Sequence, residues 1–331
     1  MLDFSTRKLA VTNLMMLTVS VLWGVAWPVG RLLATDLLDF PFTVMFLRYS
    51  FAIPILFAWM WIKEGNIAPK VEDRRALLIM AFTSVFLYQI GYMYGMQRTA
   101  ASDASLVIGF NPIFVAILSV LMLSHKLTSK SSFGIILSFS GILLIFFASP
   151  NTEISIEDRL IGNSLIMFGA FAYAIYVIIM RQYVLNSGQL SPLSLIAWVS
   201  LIGWIFFVPF VLAETPWERS WSNDEWLLIG YLGILSTALS YVFFAIGIEV
   251  IGANRASSFV NVVPVFGILS SWLWINEELG LAQLFSFVLI KSHLELICLI
   301  TFSSRIGPLI VSIEEGFFLK YSIISFSCPG Y

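Results

Sequence analysis

The sequence predicts an all-α membrane protein: ten transmembrane helices as two inverted five-helix repeats, the tenth helix degenerate. Three observations carry that expectation. Of 331 residues, 59% are hydrophobic and 11% charged, whereas a soluble domain carries about a quarter charged residues. Apolar runs of about 18–24 residues recur along the chain, the length that crosses a roughly 30 Å hydrocarbon core. A short pattern also appears twice, 152 residues apart: Ala101-Ser102-Asp103-Ala104-Ser105, then Pro112, Phe114, Ser119, Leu121 and Leu127, returns as Ala253-Asn254-Arg255-Ala256-Ser257, then Pro264, Phe266, Ser271, Leu273 and Leu279. Without a gap, residues 95–138 and 247–290 agree at eleven of 44 positions. The expected division is therefore 1–150 for the first repeat and 151–331 for the second.

The spans follow in order. Arg7 and Lys8 precede the first, 12–34, which is too long for a signal h-region and has no evident small-residue cleavage site, so it reads as a retained helix. Polar residues 36–39 separate it from the second, 42–62, and residues 63–75 separate that from the third, 75–96. The fourth, 101–123, ends at the polar segment 124–130, and the fifth is 132–149. After residues 151–159 come the sixth, 160–181, and, past 186–191, the seventh, 192–213. Residues 214–225 precede the eighth, 226–249. The ninth is 253–275 and the tenth 281–302. Trp59, Trp61, Trp217, Trp221, Trp226, Trp272 and Trp274 cluster at span ends, as interfacial anchors do.

Five spans per repeat is odd, so the second repeat enters the membrane upside down. With the N-terminus cytoplasmic, the inner segments hold Arg7, Lys8, Lys63, Lys70, Arg74, Arg75, Lys126, Lys130, Arg181 and Arg255; the outer ones hold Arg31, Arg98, Arg159 and Arg219. That bias satisfies the positive-inside rule. The equivalent turns differ in the same sense: His125-Lys126-Leu127 falls inside, Glu277-Glu278-Leu279 outside. The expected location is a plasma membrane, with the chain multi-pass.

Composition and motifs exclude several classes. No basic run suggests nucleic acid. Cys298 and Cys328 offer neither a disulfide framework nor metal-ligand spacing. His125 and His293 stand far apart, and no Gly-x-Ser-x-Gly, His-Glu-x-x-His or phosphate-binding Gly-x-x-x-x-Gly-Lys-Ser/Thr occurs. No catalytic residue, cofactor or metal is expected. A duplicated, almost wholly apolar chain is instead the signature of a secondary transporter built from repeats.

The order of motifs resembles the EamA-type branch of the drug/metabolite transporter superfamily. The residues that carry the resemblance are Trp23-Gly24 in the first span, Pro41 and Phe46-Leu47-Arg48 in the second, Ala104-Ser105 and Asn111-Pro112 in the fourth, and the acidic turn Asn276-Glu277-Glu278-Leu279. The first-repeat turn, Ser124-His125-Lys126-Leu127, departs from the pattern by lacking the acid. The resemblance covers about residues 10–290. It implies a carrier for a small metabolite, amino-acid-like or another small organic solute, exported by alternating access. Its partners would be that substrate and membrane lipid, with a homodimer left open. The rival class is a non-transporting membrane protein, an intramembrane enzyme or assembly factor. The first span has no acidic residue, so a proton-coupled glutamate there, as in small multidrug exporters, is absent.

Nine residues are candidate substrate contacts because they are polar or amphipathic within spans of Leu, Ile, Val and Phe. Arg48 lies about six residues into the second span; an intramembrane arginine faces a bundle interior or cavity, where it attracts an anion, or else snorkels to the interface. Trp23 and Trp27 share one face of the first span, and Tyr173 and Tyr176 hold the related place in the sixth; they are cavity walls or packing. Gln89 and Tyr92 on the third span, with the Tyr88 hydroxyl beside them, and Asn111 and Asn261 on the fourth and ninth, line the interior or tie helices together. Pro112 and Pro264 free backbone carbonyls or simply kink their helices.

Past about residue 290 the repeat correspondence fails. Lys291, His293 and Glu295 stand where the first copy has Phe139, Gly141 and Leu143. The expectation is a tail from about 291 that arose by a shifted reading frame or divergence, against the alternative of a coupling site.

Overall fold

The computed structural model describes residues 4–65, 68–123, 129–150, 153–185, 190–251, 256, 259–260 and 262–289. Among them every regular element is helical. We label α1 (Phe4–Asp36), α2 (Pro41–Glu64), α3 (Val71–Met96), α4 (Ala101–Met122), α5 (Ser129–Ala148), α6 (Ile156–Leu185), α7 (Pro192–Glu214), α8 (Asn223–Ile251), α9 (Val263–Ile275) and α10, the described stretch 281–289.

Seven of these are long and apolar enough to cross a membrane: α1 to α4 and α6 to α8. The other three are described only in part. The fifth, α5, is helical over Ser129–Ala148, and its apolar stretch among the described residues is Ile136–Ala148. In α9 it is Val263–Ile275, a helix that starts with Pro264 at its second position, where a missing N–H is harmless. Much of 252–261, the second half of the expected tenth span and the whole tail from 291 lie outside the described residues.

The helices leave apolar side chains toward the lipid: Leu14, Ile62, Leu121, Phe147, Leu227 and Leu273 are all exposed. Trp61, Trp217, Trp272 and Trp274 are exposed too, as interfacial anchors should be. Polar side chains inside the spans are satisfied locally where they can be. Ser50 donates to the Phe46 carbonyl at 2.8 Å and Ser84 to Met80 at 2.7 Å, which avoids the cost of an unpaired hydroxyl in an apolar medium.

The most extensive pairing is α3 with α6, followed by α1 with α8, α4 with α6, α2 with α7 and α1 with α9, and then by α2 with α8, α3 with α7 and α4 with α9. Without a hydrophobic driving force in lipid, such contacts depend on close approach and hydrogen bonds. Gly24 shows the approach: a Cβ there would stand 2.9 Å from the Gly267 nitrogen of α9.

Carboxylates at helix ends tie these pairs. Glu214, ending α7, accepts from the backbone N–H of Phe42 (2.9 Å) and Thr43 (2.7 Å) and from the Thr43 hydroxyl (2.6 Å) at the start of α2. Glu64, ending α2, accepts from Ser191 (2.6 Å) and Ser194 (2.7 Å) at the start of α7. Glu277, just past α9, accepts from the N–H of Ala101 (2.6 Å) and Ser102 (2.8 Å) at the start of α4. Glu214 and Glu277 satisfy orphan N–H groups directly, whereas Glu64 accepts from the Ser191 hydroxyl, which itself accepts from the Ser194 N–H. Each anion lies where the helix dipole favours negative charge.

Candidate functional site

Two helices depart from α geometry at mid-span. In α3 the segment Phe82–Leu87 is π-helical, and in α8 so is Tyr231–Leu239. Thr237 and Ser240 donate to carbonyls five residues back, Leu232 and Leu235, at 2.8 and 2.9 Å. Such segments widen the helix and loosen its carbonyls from the usual ladder. Here they present Ser84 on one side and Ser236 on the other to a central cavity of about 210 Å³.

Seven of the nine sequence candidates line that cavity: Trp23, Trp27, Arg48, Gln89, Tyr92, Asn111 and Tyr173. Tyr176 does not. It stacks on Tyr173 at 5.2 Å between centroids and borders a smaller neighbouring space with Tyr49, Ile196 and Ser200. Tyr176 shares roughly the same face as Tyr173 but lies about 4.5 Å further along α6, beyond the cavity's end, while Tyr173 borders both spaces. Asn261 lies outside the described residues.

Arg48 is the cation of the cavity. Its Nε donates to the Thr237 hydroxyl at 2.9 Å, and its Nη1 to Gln89 Oε1 at 3.4 Å. Gln89 passes the link on, donating to the Tyr49 hydroxyl at 3.1 Å. The guanidinium also stands 6.0 Å from the Tyr92 ring centroid, within cation–π range. Among the described residues no carboxylate is in ion-pair range of Arg48. Its charge is oriented by neutral partners and compensated by none. It does not snorkel; neutral groups on α3 and α8 hold its head inward.

The aromatic wall is equally fixed. Trp23 donates to the Ser236 carbonyl at 2.9 Å and packs on Tyr241 and Phe244. Trp27 meets Tyr92 at 5.4 Å. The Tyr92 hydroxyl donates to the Ala26 carbonyl at 2.6 Å, and Gly30 makes room for it, since a Cβ there would collide with that hydroxyl. The Trp23-Gly24 pair thus has two separate duties: the indole bonds to the π-helical stretch of α8, and the glycine admits α9. Opposite, α4 and α9 contribute mainly apolar groups: Leu106, Ile108, Val263 and Pro264. Asn111 is the exception, with Oδ1 buried and without a hydrogen-bond partner.

Tyr88, which the sequence marks beside Gln89 and Tyr92 by its hydroxyl, also lines the cavity. Sequence reasoning missed Tyr49, Ser84, Ser236, Thr237 and Tyr241. Their only signal is polarity within apolar spans, and isolated hydroxyls there ordinarily bond to their own helix, as Ser50 does. Among the described residues no three His, Cys, Asp or Glu side chains come together as metal ligands.

Known proteins resemble the chain over most of its length. The model of the EamA-like transporter family matches residues 10–147 and 160–292. The uncharacterized transporter YetK of Bacillus subtilis is 28% identical over 70% of each chain. An uncharacterized transporter of Archaeoglobus fulgidus is 25% identical over 72% of this chain and 81% of its own length. A solved crystal structure covers 89% of this chain and 99% of its own at a TM-score of 0.61 and 15% identity, a likeness of fold alone.

Proposed function

The chain belongs to the EamA-like transporter family, and on that premise we propose that it is a secondary carrier that moves a small organic anion across the plasma membrane. The observation that carries the substrate class is Arg48, a guanidinium held by Thr237 and Gln89 in a small cavity with no carboxylate beside it among the described residues. An arginine so presented pairs geometrically with a carboxylate or phosphate. The wall of Trp23, Trp27 and Tyr92 adds a flat apolar surface for the remainder of the solute. An amino-acid-like solute fits both demands. Export is the direction the family resemblance favours.

In this reading the ten spans form two inverted five-helix repeats with a cytoplasmic N-terminus, and the cavity opens alternately to each side. The moving part is the α4–α9 pair, which lines the cavity with groups that hold no substrate charge. The frame is α2 with α7, which carries Arg48. Solute counterflow in proteoliposomes tests the substrate class: vesicles loaded with one unlabelled solute take up its labelled form. A panel of labelled aromatic and aliphatic carboxylates, matched with their neutral amides, should show counterflow for carboxylates only. Counterflow for the amides alone would overturn the assignment of Arg48.

A further inference from the structure

A second polar centre lies one turn along α4 from the cavity. Asp103 is wholly buried. Its Oδ1 accepts from Gln283 Nε2 at 2.9 Å, while its Oδ2 is buried and accepts no hydrogen bond among the described residues. The orientation of Gln283 is fixed, because its Oε1 accepts from the Gly280 N–H at 3.1 Å and its Nε2 also donates to Ser102 at 3.0 Å. Reversing the amide would turn a carbonyl toward the carboxylate and an NH₂ toward an N–H.

The groups facing Asp103 come from every neighbouring element: Glu277 beyond α9, Gln283 on α10, Ser149 after α5, whose side chain is a second hydrogen-bonding neighbour of the carboxyl group, and Arg159 on α6. Arg159 is the one cation among them, and it acts on Asp103 at a distance and without a direct contact. Its Nη1 donates to the Ser149 carbonyl at 2.9 Å, and no ion pair joins it to Asp103 among the described residues. Glu277 adds a second negative charge nearby. A carboxylate oxygen stripped of water with no donor is strongly disfavoured, and a proton on it removes the penalty. A metal cation is poorly served, since Gln283 turns its donor end toward the site.

We propose that Asp103 is a proton-binding site: its Oδ2 carries a proton while the Glu277 end of the bundle is closed and releases it to water when that end opens. The step breaks one O–H bond and leaves a hydrated carboxylate, with the proton passing to solvent. Asp103 lies three residues before Leu106, which lines the cavity, so movement of α4 reaches both places. The use of this proton in transport rests on the carrier reading; its existence does not.

Infrared difference spectroscopy of the purified full-length protein tests the site without any substrate. The spectrum is titrated with acid and base in a sodium-free buffer. The expected result is a protonated-carboxyl C=O band that persists well above the pH at which an exposed aspartate ionises, about 4. The band should be lost in Asp103→Asn and moved in frequency in Asp103→Glu. If Asp103→Asn does not fold, Gln283→Leu reports instead: with the donor to the ionised form removed, the band should persist to higher pH. An acid-band spectrum identical in wild type and Asp103→Asn, or a band in Gln283→Leu that titrates as in wild type, would overturn the proposal. So would a band that sodium displaces at constant pH, which would indicate a metal-cation site. Counterflow that fails while the band is present would count against the carrier reading alone.

Discussion

The α2–α7 pair and the α4–α9 pair meet the same physical problem with different residues. In α2–α7 both helix starts receive a carboxylate from the partner: Glu214 serves α2 and Glu64 serves α7. In α4–α9, among the described residues, Glu277 serves the start of α4, and most of 252–261 before α9 lies outside them. The residue at the repeat-equivalent position of Glu277 is His125, followed by Lys126, so the first-repeat turn carries no carboxylate there. On the carrier reading, α2–α7 is the strut and α4–α9 is the pair that releases. The cavity is divided along the same line, with Arg48 on the strut and mainly apolar groups on the releasable pair.

The largest expected effect breaks the strut's chemical role. Arg48→Gln should weaken binding of a carboxylate solute by about 10–150-fold, the equivalent of roughly 1.5–3 kcal/mol for a charged hydrogen bond. The measurement is counterflow inhibition by matched carboxylates and amides, with the amides unaffected. Equal loss for both, with normal expression, would make Arg48 a structural residue.

Stability separates the two pairs next. Glu214→Gln removes the charge that three donors share, and should cost about 1–3 kcal/mol by thermal unfolding in detergent. Glu277→Gln should cost less, about 0.5–2 kcal/mol, because it caps two N–H groups with no hydroxyl added. If Glu277→Gln proved the more destabilising, α4–α9 would be the frame and the comparison would invert. Gly30→Ala bears on the cavity wall between the pairs. The added methyl meets the Tyr92 hydroxyl, and overpacking of this kind costs about 1–3 kcal/mol. A neutral result would mean that Tyr92 is free to swing aside.

The sequence discloses the pairs unevenly, for reasons visible in particular residues. The spans that became α1 to α4 and α6 to α8 are legible because each is an uninterrupted apolar run. Arg48, Trp23, Trp27, Gln89, Tyr92, Asn111 and Tyr173 are legible as cavity residues because each is polar or amphipathic at mid-span. The π-helical stretches are not, since a ladder shifted by one residue leaves no mark on composition. Ser84, Ser236 and Thr237 were missed with them. The tie from Glu214 to Thr43 spans 171 residues, and nothing local to either end announces it. Glu277 was noticed as a motif, but its partner, the start of α4, emerges only from the packing of α4 against α9.

The most direct test of the releasable pair uses one cysteine in the cavity. Asn111→Cys is placed in a background with Cys298→Ser and Cys328→Ser, and a membrane-impermeant thiol reagent is applied from the Glu277 side. The account predicts slow labelling in that background and labelling at least several-fold faster once Glu277→Gln is added, with Glu214→Gln leaving the rate unchanged. Equal rates with and without Glu277→Gln, or acceleration by Glu214→Gln instead, would contradict it.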